Sequence, residues 1–163
     1  MSLNFFQGKC QESPRRNIEF GLCEDQNGTK AYTDITDSDK WIATVKNENQ
    51  LELVFTAIDK CVLLDNEFEG RGRCDGMLTS SNLLYLVELK NQEPPWQSDA
   101  IGQLESTIQF LLESHDIRQY KKRKAFACNK KRDIFVVIDN EYNMSFLRRT
   151  SFRIDIQAEI VII

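Results

Sequence analysis

Asp75, Glu88 and Lys90 are the residues of this chain whose types and spacing could do chemistry together. They lie in RCDGMLTSSNLLYLVELKNQ, residues 73 to 92, an otherwise apolar stretch. Charged side chains are costly to bury unless they are paired or bind a metal. Alternate residues of a strand share a face, about 6.6 Å apart. If LYLVELK is a strand, the face of Leu84 and Leu86 continues with Glu88 and then Lys90. A hairpin turning at Ser80-Ser81-Asn82 sets Asp75 on the neighbouring strand, where its carboxylate can converge with that of Glu88. Two hard oxygen donors near one point suit Mg²⁺ or Mn²⁺, which keep several waters and accept a substrate phosphate. Such an ion polarises a phosphoryl oxygen and supplies hydroxide near neutral pH. A lysine beside it can hold the attacking water and offset developing negative charge. The chemistry expected is metal-assisted hydrolysis of a phosphodiester. The competing arrangement is an exposed Glu88–Lys90 pair, worth under about 1 kcal/mol, with Asp75 as a turn residue.

The elements that must position these groups are legible as runs of alternating or helical periodicity. NIEFGLCE alternates Ile18, Phe20 and Leu22, and Asn27-Gly28 after it is a hairpin signal. KWIATVKN places Trp41, Ala43 and Val45 on one face, and LELVFTAID alternates Leu51, Leu53, Phe55 and Ala57. A helix over part of 38–60 also fits, because short apolar runs satisfy both periods. After the motif, EPPW cannot continue a central strand, and its Trp96 reads as a loop anchor packed on the core. A helix with Ser98 as N-cap then runs through DAIGQLESTIQFLLESH, with Ile101, Leu104, Ile108, Leu111 and Leu112 as its buried stripe. KAFACN, DIFVVIDN and the C-terminal FRIDIQAEIVII read as strands. The order predicts an α/β or α+β fold with a mixed central sheet flanked by helices and an N-terminal antiparallel β extension. Residues 1–163 read as one domain, with 1–60 mostly β and 61–163 the motif-bearing core.

Asp75, twelve residues, then Glu88-Leu89-Lys90 resembles the metal-binding motif of the restriction-endonuclease-like, or PD-(D/E)XK, nuclease superfamily. There an Asp opens one strand, a (D/E)-x-K triplet ends the next, and a helix follows, as Ser98 onward does here. RCD stands where that family usually has a proline before the Asp. The resemblance covers roughly residues 70–130. It implies that Asp75, Glu88 and the Leu89 carbonyl bind Mg²⁺ or Mn²⁺, that Lys90 is the catalytic lysine, and that Gln103 takes the place of a functional glutamine found in some branches. It implies an endo- or exodeoxyribonuclease, with DNA favoured over RNA as substrate and a homodimer as the assembly to test. A third acid, common in the family ahead of the first motif strand, has Glu48, Glu52, Asp59, Glu67 and Glu69 as candidates. The alternative is a catalytically inactive nuclease-like fold that binds nucleic acid or protein.

Composition narrows the field. With 41% apolar and 28% charged residues, the 163-residue chain resembles an ordinary soluble domain. It shows no apolar run approaching a membrane span and no N-terminal signal pattern, so cytoplasmic localisation without a membrane partner is expected. His115 is the one histidine, which argues against a histidine metal cluster or a Ser-His-Asp triad, and it reads as a surface or capping residue. Cys10, Cys23, Cys61, Cys74 and Cys128 are odd in number and widely spaced, which speaks against a disulfide framework or thiolate zinc site. The net charge of −4 conceals residues 118–132, which carry eight Lys or Arg and no acid. Lys121, Lys122, Arg123, Lys124, Lys130, Lys131 and Arg132 are therefore candidates for nucleic-acid backbone contacts, expected near the same sheet edge as the motif.

Overall fold

The computed structural model describes residues 3–130 and 138–163. They form an α+β arrangement of two mixed sheets and two helices. One sheet has the strand order β4 (Val54–Ala57), β5 (Gly76–Thr79), β6 (Leu83–Lys90), β7 (Lys122–Asn129) and β8 (Arg153–Ile156). Its first three strands are antiparallel neighbours, and β6, β7 and β8 run parallel. The other sheet has the order β2 (Tyr32–Asp34), β1 (Glu19–Cys23), β3 (Ala43–Lys46) and β9 (Glu159–Val161). In it β1 pairs antiparallel with β2 and β3, and β9 lies parallel to β3.

The alternation of β6 explains the layering. Leu84 and Leu86 face α1 (Gln97–Ser114) and pack with Leu104, Ile108 and Leu111. Tyr85, Val87 and Leu89 face the smaller sheet and share a second core with Phe20, Leu22, Val45 and Ile160. A strand covered on both sides must be apolar almost throughout, and seven of the eight β6 residues are buried. Helices, large sheet and small sheet are thus three layers around two cores.

Most expected strands are present. Phe20, Leu22, Ala43, Val45, Leu53, Phe55 and Ala57 point into the second core, whereas Ile18 and Leu51 are exposed just outside their strands. Trp41 also lies outside β3, and its ring covers Gly21 on the other side of β1. Between residues 38 and 60 the one helical element is the 3-10 turn Ser38–Lys40, so strands prevail over the helical alternative. The boundary expected at residue 60 does not follow the sheets: β4 belongs with the motif strands, and β9 completes the N-terminal sheet.

Four local expectations change. The helix start is Gln97, and Ser98 is inside the first turn, not the cap. Leu112 is exposed, its place on the buried stripe taken by Phe110. The C-terminal apolar run divides at Gln157–Ala158 into β8 and β9, which join different sheets. Cys10 and Cys61 form a disulfide, while Cys23, Cys74 and Cys128 are buried. Widely spaced cysteines say nothing about proximity in the fold, which is why spacing misled. The strand expected at DIFVVIDN falls mostly on 131–137, outside the described residues. The helix α2 (Asn140–Thr150) was not anticipated. It is capped by the Asp139 side chain accepting from Glu141 N–H and closes at Ser151 in the left-handed region.

Candidate functional site

The Ser80-Ser81-Asn82 turn, closed by Ser80 N–H donating to Leu83 O at 3.0 Å, fixes the register of the β5–β6 hairpin. Gly76 is paired with Val87. Asp75 N–H also donates to Val87 O at 3.1 Å. Two residues set against one is the arrangement of a β-bulge, which re-aims a side chain at a strand end. The Asp75 carboxylate consequently turns to β6 and accepts from Leu89 N–H at 2.7 Å. A strand residue's N–H and C=O leave on the same side, so the Leu89 carbonyl addresses this edge as well. By strand parity Glu88 continues the Leu84–Leu86 face.

Both acids are buried: Asp75 is 9% and Glu88 5% exposed. Oε1 of Glu88 has no hydrogen-bond partner among the described residues. Burial pushes the Asp75 carboxyl up to about 7, against the pull of the Leu89 N–H. Burial, and then the neighbouring Asp75 carboxylate, hold Glu88 well above the ordinary carboxylate range, with Lys90 pulling the other way. Two acids this close in a dry edge resist double ionisation unless a cation joins them.

Lys90 Nζ lies 3.4 Å from Glu88 Oε2 and also pairs with Asp99 in the first turn of α1. Burial lowers its affinity for a proton, but the two carboxylates more than offset this and keep it above its usual value. The lysine is therefore a fixed cation. Its side chain is 14% exposed, so the solvated ion pair considered as a competitor is not what forms.

The helix holds the approach to Asp75 through two side chains one turn apart. Gln103 Oε1 accepts from Arg73 N–H at 2.6 Å, and Thr107 Oγ accepts from Cys74 N–H at 2.7 Å. Gly72 also lies against Gln103, where a Cβ would come within 2.5 Å of its Oε1. Asp99 and Thr107 were missed in the sequence; a polar i, i+4 pair, Gln103 and Thr107, on the flank of an apolar stripe was the available signal. Arg73 donates to the carbonyls of Leu64 and Glu67, each at 2.6 Å, which ties down the preceding loop.

Asp75, Glu88, Leu89, Lys90 and Gln103 all line one cleft of about 540 Å³. Of the five candidates for a third acid, Asp59 and Glu69 line it, together with Glu24 and Asp65. Burial raises Asp59 above its usual value. Among the described residues no three His, Cys, Asp or Glu side chains converge as a metal site. The edge offers a carboxylate pair and a backbone carbonyl. That donor set, with one buried carboxylate oxygen unsatisfied, fits a hard cation that retains water ligands.

The basic candidates separate from this cleft. Because β7 runs parallel to β6, its first residues lie at the beginning of β6: Lys122 is registered with Leu83 and Lys124 with Tyr85, whereas Glu88 faces Ala127. Lys121 N–H and Lys122 N–H donate to the Asn82 side chain and carbonyl at the β5–β6 turn. Lys121, Lys122, Arg123 and Lys124 are thus at the opposite end of the sheet, contrary to the shared edge expected. A parallel crossover must carry the chain back along the strand before the next one begins. Lys130 is at the cleft end, where its N–H donates to Lys90 O, but its ammonium reaches the Asp39 carbonyl on the small-sheet side. Lys131 and Arg132 lie outside the described residues. His115 caps α1 and accepts from Phe5 N–H through Nε2 at 3.0 Å, remote from the cleft residues.

No helix among the described residues is long and apolar enough to cross a membrane. In comparisons with known proteins, no family model, curated protein or solved structure matches the chain.

Proposed function

We propose that the chain is a metal-dependent phosphodiesterase acting on nucleic acid, DNA in preference to RNA, through a restriction-endonuclease-like site of the PD-(D/E)XK kind. The observation that carries this reading is the buried Asp75–Glu88 pair with an unsatisfied Glu88 oxygen beside the fixed ammonium of Lys90. Asp75, Glu88 and the Leu89 carbonyl would hold Mg²⁺ or Mn²⁺. When bound, such an ion supplies Lewis-acid polarisation of a phosphoryl oxygen and acidifies a water.

The protein's own groups account for the remainder. Asp99 and Glu88 hold Lys90 protonated, so its ammonium can orient water by hydrogen bonding and offset charge as a fifth phosphorus–oxygen bond develops. Gln103 and Thr107 keep the segment before Asp75 in place, a positioning role that preserves the separation of the two carboxyls. The acidic lining from Asp59, Asp65 and Glu69 disfavours a polyanion until cations are bound.

Purified protein incubated with plasmid and with single-stranded DNA should cleave in Mg²⁺ or Mn²⁺ and not in EDTA. Glu88→Ala and Lys90→Ala should each lower the rate by at least a hundredfold. Cleavage that survives both substitutions would overturn the assignment. Absence of cleavage by wild type, together with no heat of Mn²⁺ binding, would point instead to a non-catalytic binding module.

A further inference from the structure

The end of the large sheet opposite the cleft gathers cations that the chemistry above does not use. Lys121 to Lys124 enter β7 there, and Arg153 of β8 is registered beside Lys124. With Tyr85 they line a depression of about 270 Å³. Lys124 is balanced by Asp155 at 3.7 Å, and Lys122 reaches the Ile163 carbonyl. Lys121, Arg123 and Arg153 meet no acidic side chain among the described residues. The Tyr85 hydroxyl, fully buried below Lys124, has no hydrogen-bond partner among the described residues. This end is electropositive in a protein whose net charge is −4.

We propose that this end of the sheet, built from Lys121, Lys122, Arg123, Lys124 and Arg153, is a metal-independent binding surface for the phosphate backbone of single-stranded nucleic acid, separate from the carboxylate cleft.

The arrangement favours an extended polyanion over one small anion. Lys122 and Lys124 share a face about 6.6 Å apart, and Arg153 is one strand spacing, about 4.8 Å, to the side. Lys122, Lys124 and Arg153 leave on the small-sheet side of the strand ends and Arg123, registered with Leu84, on the helix side, so the cations are spread around this end and do not converge on a point. That spacing resembles the distance between neighbouring phosphates on an extended strand. Tyr85 is buried and Lys121 to Lys124 present no exposed aromatic, so base stacking is absent and the surface reads charge without sequence. From Leu83 to Glu88, the β6 residues registered with Lys122 and Ala127, is about 17 Å along the strand.

The test uses a fluorescent single-stranded 20-mer and the full chain in EDTA, so that it does not depend on hydrolysis. Fluorescence anisotropy should report binding that weakens as salt rises. The triple variant Lys121→Glu, Arg123→Glu, Arg153→Glu should bind at least tenfold more weakly, with the slope of log K against log salt reduced by about 2, at about 0.7 per lost phosphate contact. Glu88→Gln should bind as wild type does. If charge reversal impairs folding, judged by circular dichroism, the corresponding triple glutamine variant takes its place, with the same loss expected. No binding by wild type, undiminished binding by the triple variant, or loss on Glu88→Gln would overturn the proposal. So would retention on vesicles of anionic phospholipid without affinity for the oligonucleotide. Failure of DNA cleavage in Mg²⁺ bears on the hydrolase reading alone, since binding in EDTA has its own readout.

Discussion

Glu88 is the residue on which local stability and proposed chemistry conflict. It is a buried acid beside a second buried acid, with one oxygen that meets no donor among the described residues. Such a group destabilises the fold when ionised, and sites that bind cations retain this cost because the ligand removes it. The sign follows from Asp75 and Glu88 both being raised. The native state binds more protons than the unfolded chain between the ordinary carboxylate range and the raised values. Stability is therefore full in acid and declines as pH rises, for Asp75 from 3.8 through about 7. In EDTA at pH 8, Glu88→Gln should thus be more stable than wild type, by about 1–3 kcal/mol. The difference should shrink toward pH 4, where wild type is protonated. Paired urea denaturation curves at the two pH values check this, and a Glu88→Gln protein less stable than wild type at pH 8 would contradict the burial argument. Excess Mg²⁺ or Mn²⁺ should stabilise wild type at pH 8 and leave the variant nearly unchanged.

Among the elements, the strands of the large sheet were the most legible in the sequence, because β5 and β6 carry a clear turn between two apolar runs. Asp75, Glu88 and Lys90 were identifiable from strand parity, Leu89 and Gln103 only through the family resemblance, and all five line one cleft. What parity could not reveal was the bulge at Asp75, the hold of Thr107 on Cys74, or Asp99 steadying Lys90. Each depends on how α1 lies over the sheet, a long-range property. The helix α2 escaped notice because only Phe146 and Thr150 are buried, too few to make a periodic stripe. Its N-cap Asp139 and the basic residues Arg148 and Arg149 in the last turn were the better signals. Gly21 is a further packing feature without a motif: a Cβ there would sit 2.0 Å from the Trp41 ring, which Asp34 anchors through the indole N–H at 2.9 Å. Gly21→Ala should therefore cost about 1–3 kcal/mol, read from thermal or urea unfolding, whereas the control Gly102→Ala, inside α1 with no other element within 4 Å of its Cβ position, should stabilise by about 0.5–1 kcal/mol. Equal stability of Gly21→Ala and wild type would show that Trp41 can move aside freely.

For the molecule as a whole, charge and covalent tethering are both unevenly distributed. The cleft end is acidic and the far end of β6–β8 basic, a separation imposed by the parallel crossover and invisible while charges are counted along a line. The Cys10–Cys61 bond clips the N-terminal segment to the loop after β4, closing a separation of 51 residues. Loss of that closure should destabilise the chain by up to about 4 kcal/mol. Cys10→Ser with Cys61→Ser, compared with oxidised wild type by thermal melting, measures it, and reduction of wild type should reproduce the shift. An unchanged melting temperature would mean that Phe5, packed in the core with its N–H on His115, suffices to hold the segment. The pairing of β3 with β9 has a different reach, since it joins residues separated by most of the chain. During synthesis, β1, β2 and β3 are made more than a hundred residues before β9, the strand that completes their sheet. Until β9 emerges, the underside of the motif sheet lacks a finished cover, so a nascent chain exposes apolar surface to chaperones long after its carboxylate hairpin has been made.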